Sequence, residues 1–127
     1  MSVTYDAGAL IAVDRDDPLM FARHRQAVSR GLVPVVPAPV IWQVWRDGST
    51  QARLARFLKG CWVEPVDDDV ARDAGVLLGR AGTIDGVDAA VVLSAQRRGG
   101  VVYTSDPDDL GLLAGCLSKA KFVIYRV

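Results

Sequence analysis

Short β-branched apolar runs alternate with helical stretches along this chain, and that alternation constrains its fold most. The runs are Ser2 to Tyr5, "LVPVV" at Leu32 to Val36, "CWVEPV" at 61–66, "VVYTS" at 101–105 and "KFVIYRV" at 121–127. Helical spacing fills the gaps: Ala7 to Val13, Pro18 to Gly31, "VIWQVWR" after Pro37 and Pro39, and "TQARLARFLKG" at 50–60. Three more helices follow, at 67–82, 85–100 and 106–115. Strands separated by helices pair in parallel, because a parallel crossover needs a connection of helical length. The order predicts an α/β domain of three layers, with helices on both faces of a mainly parallel sheet of about five strands. A chain of 127 residues predicts a single domain spanning 1–127, large enough to bury a real core. In such sheets ligands bind beyond the carboxyl ends of the strands. Asp6 ends the first run and Asp106 follows the fourth.

Half the residues are apolar, which excludes a disordered chain. Fifteen basic and fifteen acidic residues cancel, so bulk charge selects no partner. Their distribution is uneven. Pro18 to Val63 holds Arg23, Arg25, Arg30, Arg46, Arg53, Arg56 and Lys59 against one acid, Asp47, whereas Glu64 to Asp109 holds ten acids and four bases. A basic region beside an acidic one can guide a polyanion to a metal site, and it can equally be a set of solvated helix faces. Cys61 and Cys116 lack metal-ligand spacing, which suggests reduced intracellular thiols. The start "MSVTYDAGAL" carries no signal-peptide pattern. The longest apolar region, Gly31 to Trp45, contains three prolines and falls short of the roughly 20 residues that a membrane span needs. A soluble cytoplasmic protein is expected.

The acids admit two readings. Asp106-Pro107-Asp108-Asp109, Asp85-Gly86-Val87-Asp88 and Asp67-Asp68-Asp69 all look like helix starts, since Asp is a preferred N-cap and Pro suits the first turn. Asp6 could cap the helix that follows it. If the first and fourth strands are neighbours, however, Asp6 and Asp106 meet at one sheet edge. Crowded carboxylates repel, and a hard divalent cation such as Mg²⁺ or Mn²⁺ relieves that repulsion. His24, the only histidine, lies on the basic helix, which argues against a histidine-based zinc site or a Ser-His-Asp triad. "AGALIA" lacks the lysine and spacing of a phosphate cradle.

Four stretches, "VTYDAGALIA", "PAPVIWQVWRDG", "GTIDGVDAAVVLSA" and "VVYTSDPDDLGLLA", stand in order over nearly the whole chain. Together they resemble the PIN-domain ribonucleases, specifically toxins of the VapC type. The resemblance implies a PIN-like α/β/α fold and a metal-dependent endoribonuclease. Asp6, Asp88 and Asp106 match the acids that hold Mg²⁺ or Mn²⁺ in that family, with Asp85 and Asp109 as auxiliary acids. Thr104 and Ser105 are placed to orient a carboxylate or a water. Where the family commonly has a glutamate, this chain has Gln43, which keeps the shape and loses the charge; Glu64, in an edge strand, is a poor substitute. Arg23, Arg25, Arg46, Arg53 and Arg56 are candidates for RNA backbone contacts. The resemblance further implies an antitoxin partner, received on Trp42, Trp45 or Phe57, and a homodimer. Two alternatives stand beside it. One is a catalytically weak or inactive PIN domain that binds RNA or antitoxin, motivated by Gln43. The other is a receiver-like signalling domain, a poor fit because Ala7 follows Asp6.

Overall fold

In the computed structural model, which describes residues 1–127, five strands build one sheet. They are β1 (Val3–Tyr5), β2 (Val35–Pro37), β3 (Trp62–Glu64), β4 (Gly100–Thr104) and β5 (Phe122–Arg126). Seven helices connect them: α1 (Ala7–Asp14), α2 (Pro18–Ser29), α3 (Ala38–Val44), α4 (Ala52–Lys59), α5 (Asp68–Ala81), α6 (Gly86–Arg98) and α7 (Pro107–Ala114). Every strand pair is parallel, and the order is β3-β2-β1-β4-β5.

That order decides where a ligand can sit. The chain winds outward from β1 to β3, then crosses back to β4 and continues outward on the other side. Connections therefore diverge between β1 and β4, and the crevice beyond the carboxyl ends of those two strands is the topological switch point. Flavodoxin-like domains, which include receivers, have the order 2-1-3-4-5. The observed sheet overturns the receiver-like alternative.

The core explains the pattern of runs. Tyr5, at the centre of the sheet, is fully buried and packs against His24 of α2 and Phe57 of α4, at 5.9 and 5.7 Å between ring centroids. Helix α6 runs against β1, β2, β4 and β5 and buries Val87, Ala89, Val91, Val92 and Ala95. Each valine-sized side chain taken from water contributes about 1.5–3 kcal/mol. Helix ends follow local chemistry. Asp17 and Asp67 accept backbone N–H bonds as N-caps, and Gly82 closes α5 at φ 70°, where a side chain would be strained.

The second strand lies later than its sequence predicts. It covers Val35–Pro37 rather than Leu32 to Val36, because Gly31, at φ 75°, spends Leu32 on the turn out of α2. Pro37 ends the strand and α3 begins directly after it.

Edge strand β3 holds a contact that no local pattern reveals. Glu64 is buried and ion-paired with both Arg97 and Arg98 of the last turn of α6. Arg98 also lies 4.9 Å from the Trp62 ring centroid. The two arginines suit the negative end of their helix, but their main partner is this carboxylate. Glu64 is thus committed to fastening α6 to the sheet edge.

Candidate active site

The switch point is built around Asp6. Its backbone N–H donates to the Tyr103 carbonyl at 3.0 Å, which ties the end of β1 to β4. Its carboxylate is buried and accepts twice: Oδ1 from the Ala7 N–H at 2.7 Å and Oδ2 from the Thr104 hydroxyl at 2.8 Å. A hydroxyl has one proton to give and lone pairs left over. Thr104 uses a lone pair to accept the Asp106 N–H at 3.0 Å. One fully buried side chain therefore fixes both the Asp6 carboxylate and the loop carrying Asp106. Ser105, the next residue, is exposed. It packs on the first turn of α1, where a Cβ at Gly8 would stand 2.4 Å from the Ser105 nitrogen.

Two pairs of aspartates face each other beside Asp6. Asp85 caps α6 by accepting the Asp88 N–H at 3.1 Å, so its helix-start reading holds. Asp88 is buried in the first turn of α6. Asp106 occupies the N-cap position of α7, yet its side chain accepts no capping bond. Instead Asp106 raises the pKa of Asp109, one turn further along α7. Asp85, Asp88 and Asp109 line a cleft of about 130 Å³, walled by Thr83, Leu112 and Leu113.

Burial and crowding set the charge state of the cleft. Burial raises Asp6 above the usual carboxylate range, against the pull of its Thr104 and Ala7 bonds, and the charges of Asp85 and Asp106 raise it further. Asp88 is pushed up to about 7, first by burial, then by Asp85 and Asp6, by a hydrogen bond with Asp85, and by Asp109. Asp109 is raised by its bond to Asp106 and by that group's charge. Asp6, Asp88 and Asp109 are thus each raised by neighbouring carboxylates, which is the setting a cation relieves. No three acidic, histidine or cysteine side chains are spaced to enclose one ion. The donor set fits a hydrated hard cation that touches one or two carboxylates and keeps much of its water, as Mg²⁺ does, rather than a closed chelate.

Linkage turns the Asp88 shift into a measurable effect. Its folded value lies above the unfolded value of about 3.9. Its proton therefore stabilises the fold fully below about pH 4, and that contribution is lost as pH rises through about 7. Burial lowers His24, whose contribution runs the other way and is lost as pH falls. Comparison with Asp88→Asn, which retains His24, isolates the carboxyl group. In EDTA, the original protein should lose on the order of 5 °C relative to that variant between about pH 5 and about pH 8. Mn²⁺ should restore most of the loss. Melting curves in which neither pH nor Mn²⁺ distinguishes the two proteins would contradict the crowded cleft.

The other expected residues are placed as follows. Gln43 is half-buried on α3, which packs on α1 and α6, the helices that begin next to Asp6 and at Asp85. Its side chain makes no hydrogen bond within the protein, and its carbonyl accepts from Arg46. Trp42 is 67% exposed, and Trp45 lies over Gly48. Phe57 is a correction: it is buried between Tyr5, His24 and Phe21 and offers no surface to a partner. Arg46 donates to the carbonyls of Trp42 and Trp45 and closes the end of α3. Arg53 pairs with Asp16 at 3.5 Å and donates to the Asp14 carbonyl. Arg25 and Arg56 are exposed, and Arg23 is half-buried over Tyr103. Asp67 caps α5, with Asp68 and Asp69 in the turn after it, and none of the three lines the cleft.

No family model matches the sequence, and no curated protein does. Among solved structures, the chain is similar to one in the crystal structure of VapBC2 from Rickettsia felis bound to a DNA fragment from their promoter. Identity is 11%, the TM-score is 0.71, and the match covers 100% of this chain and 99% of that one. At that identity the likeness is one of fold, and it agrees with the motifs' resemblance to VapC-type toxins. The chain has a PIN-like α/β/α fold, shared over its full length with a chain of a VapBC complex.

Proposed function

We propose that this protein is a Mg²⁺- or Mn²⁺-dependent endoribonuclease of the VapC toxin type, acting in the cytoplasm and neutralised by a cognate antitoxin. The carrying observation is the cleft at the switch point. Buried Asp6 is fixed by Thr104, and the Asp85–Asp88 and Asp106–Asp109 pairs crowd the same space. Asp6, Asp88 and Asp106 would hold the cation, one or two of them directly and the rest through its waters, with Asp85 and Asp109 as auxiliary acids. A bound divalent ion supplies charge that polarises an attacking water and the phosphate oxygens. Asp88 titrates near neutrality when metal is absent, so proton and cation compete for its oxygens. Thr104 keeps Asp6 aimed and, by giving it a hydrogen bond, favours its ionised form against the effect of burial. Attack by external water would leave a 3′ hydroxyl and a 5′ phosphate. Arg23, Arg25 and Arg56 are the arginines on the basic helices whose guanidinium groups carry no carboxylate partner, and they suit phosphate contacts. The test is cleavage of RNA with Mn²⁺ against the same reaction in EDTA.

Gln43 favours a second reading of the same site, a weak or silent nuclease. Gln43→Glu should tighten metal binding and raise cleavage, on the order of tenfold each, because an anionic oxygen offsets more of the cation's lost hydration. The same change should lower stability without metal through added repulsion. Calorimetry with Mn²⁺ and cleavage assays on both forms decide it. Equal affinity and equal activity would place Gln43 outside the site.

For the antitoxin, the surface that fits an apolar segment is a groove of about 270 Å³ between α3, α5 and α6, lined by Pro39, Trp42, Val66, Val70, Ala74 and Leu78. The solved VapBC complex motivates this partner. A homodimer is the second proposed association, checked by light scattering of the free toxin. No helix is long and apolar enough to cross a membrane.

A further inference from the structure

At the sheet edge next to the acid cleft lies a cluster that the cleft chemistry leaves unused. Tyr5, Tyr103 and Tyr125 stand in register on β1, β4 and β5. The Tyr103 and Tyr125 rings are stacked, with centroids 6.1 Å apart and planes 29° from parallel. Because β5 is an edge strand, no strand lies beyond Tyr125, and the residue is 52% exposed. Above Tyr103 sits the Arg23 guanidinium, 5.1 Å from the ring centroid, which also donates to the Arg126 carbonyl at 3.3 Å. Arg126 donates from its own guanidinium to the carbonyl of Ser105 at 3.2 Å, directly before Asp106. Through its carbonyl to Arg23 and its guanidinium to Ser105, Arg126 thus links the aromatic row to the loop of the acid site.

The charge of this edge has one sign. From Leu110 to Val127 the chain carries Lys119, Lys121 and Arg126 and no acid. Neither Arg23 nor Arg126 has a carboxylate partner. An open aromatic face beside guanidinium groups that lack a carboxylate partner matches one ligand chemistry well, an unpaired base flanked by phosphates. Base stacking on aromatic side chains and backbone contacts to Arg are how single strands are held. A duplex keeps its base faces covered and cannot use the ring.

We propose that Tyr125, with Arg23 and Arg126, forms a stacking subsite for an unpaired nucleotide of a single-stranded RNA lying across the acid cleft. This rests on the nuclease reading above. Tyr125 pairs with Tyr103, three residues before Asp106, which places the Tyr125 backbone roughly 10 Å from the acid loop, on the order of one or two nucleotides. The subsite positions the strand and takes no part in the chemistry, so it acts on binding and KM rather than on kcat.

The experiment is fluorescence anisotropy with a short labelled single-stranded oligoribonucleotide and with a duplex of the same length, in the Asp88→Asn background to prevent cleavage. Tyr125→Ala should weaken single-strand binding about tenfold, and Tyr125→Phe, which keeps the ring, should stay within about twofold. Arg126→Gln should reduce the salt dependence by about one phosphate contact. In the cleaving protein with Mn²⁺, Tyr125→Ala should raise KM in the same proportion and leave kcat unchanged. Undiminished binding by Tyr125→Ala, a Phe variant as weak as Ala, or a duplex bound as tightly as the single strand would each overturn the subsite. If the original protein cleaves with Mn²⁺ and Tyr125→Ala matches its KM, the subsite alone falls. If the original protein neither binds nor cleaves RNA, the nuclease reading falls with it.

Discussion

Asp88→Asn is expected to reduce RNA cleavage by at least about a hundredfold while making the metal-free protein more stable, not less. The two effects have one origin. Asp88 is buried in the first turn of α6 among the charges of Asp85, Asp6 and Asp109. Without a cation, ionising it costs free energy, which is why its proton is held up to about pH 7. Asparagine keeps the shape, removes the charge and so removes the repulsion. On the proposed reading it also removes an oxygen that would join Asp6 in holding a cation, so Mn²⁺ should lose most of its stabilising effect. For the original protein that effect should be about 2.7 kcal/mol at a hundredfold excess of metal over its dissociation constant. A purely structural aspartate would behave in the opposite way: its loss would lower stability and leave the metal response intact. Thermal melts of both proteins with and without Mn²⁺, beside cleavage assays, separate the two cases.

Gly8→Ala should cost about 2 kcal/mol of stability and more than about tenfold in cleavage, although Gly to Ala within a helix ordinarily gains up to about 1 kcal/mol. The new methyl group would stand 2.4 Å from the backbone nitrogen of Ser105, where no atom can fit. Either α1 or the Ser105 loop must shift. Ser105 lies between Thr104, which holds the Asp6 carboxylate, and Asp106, whose N–H is held by the same hydroxyl. A shift of a few tenths of an ångström there moves both acids. Gly75→Ala, in α5, is the control, since a Cβ there meets nothing within 4 Å. It should be neutral or slightly stabilising. Chemical denaturation and cleavage rates measure both. A Gly8→Ala protein with unaltered stability and rate would mean that the ends of β1 and β4 are not packed as described.

Much of this was legible from local sequence, for definite reasons. Each of the first four apolar runs stops at Asp or Pro, so strand and helix order is readable without knowing any contact. Parallel pairing follows from that order, and it places Asp6 and Asp106 at one end of the sheet. Strand alternation also separates Thr104, which points inward, from exposed Ser105. What could not be read are contacts between residues far apart in the chain. Gly8 and Ser105 look unremarkable until the fold presses them together. The pairing of Glu64 with Arg97 and Arg98 joins an edge strand to a helix end 33 and 34 residues later. Helix-start acids were ambiguous because capping and ligand roles use the same residue type. Only the hydrogen bonds separate Asp67, which caps, from Asp106, which does not. Phe57 is the reverse case: an aromatic residue suits a docking surface and a core alike, and its spacing with Leu54 on α4 puts it on the buried face.

The most direct test of the central claim is RNA cleavage by the purified protein, freed of antitoxin, with Mn²⁺ and with EDTA, followed by analysis of the new ends. The account predicts cleavage in Mn²⁺ that leaves 5′ phosphates, none in EDTA, and none from Asp88→Asn in either. Cleavage that persists in EDTA, or intact RNA after incubation of the folded original protein with Mn²⁺, would contradict it.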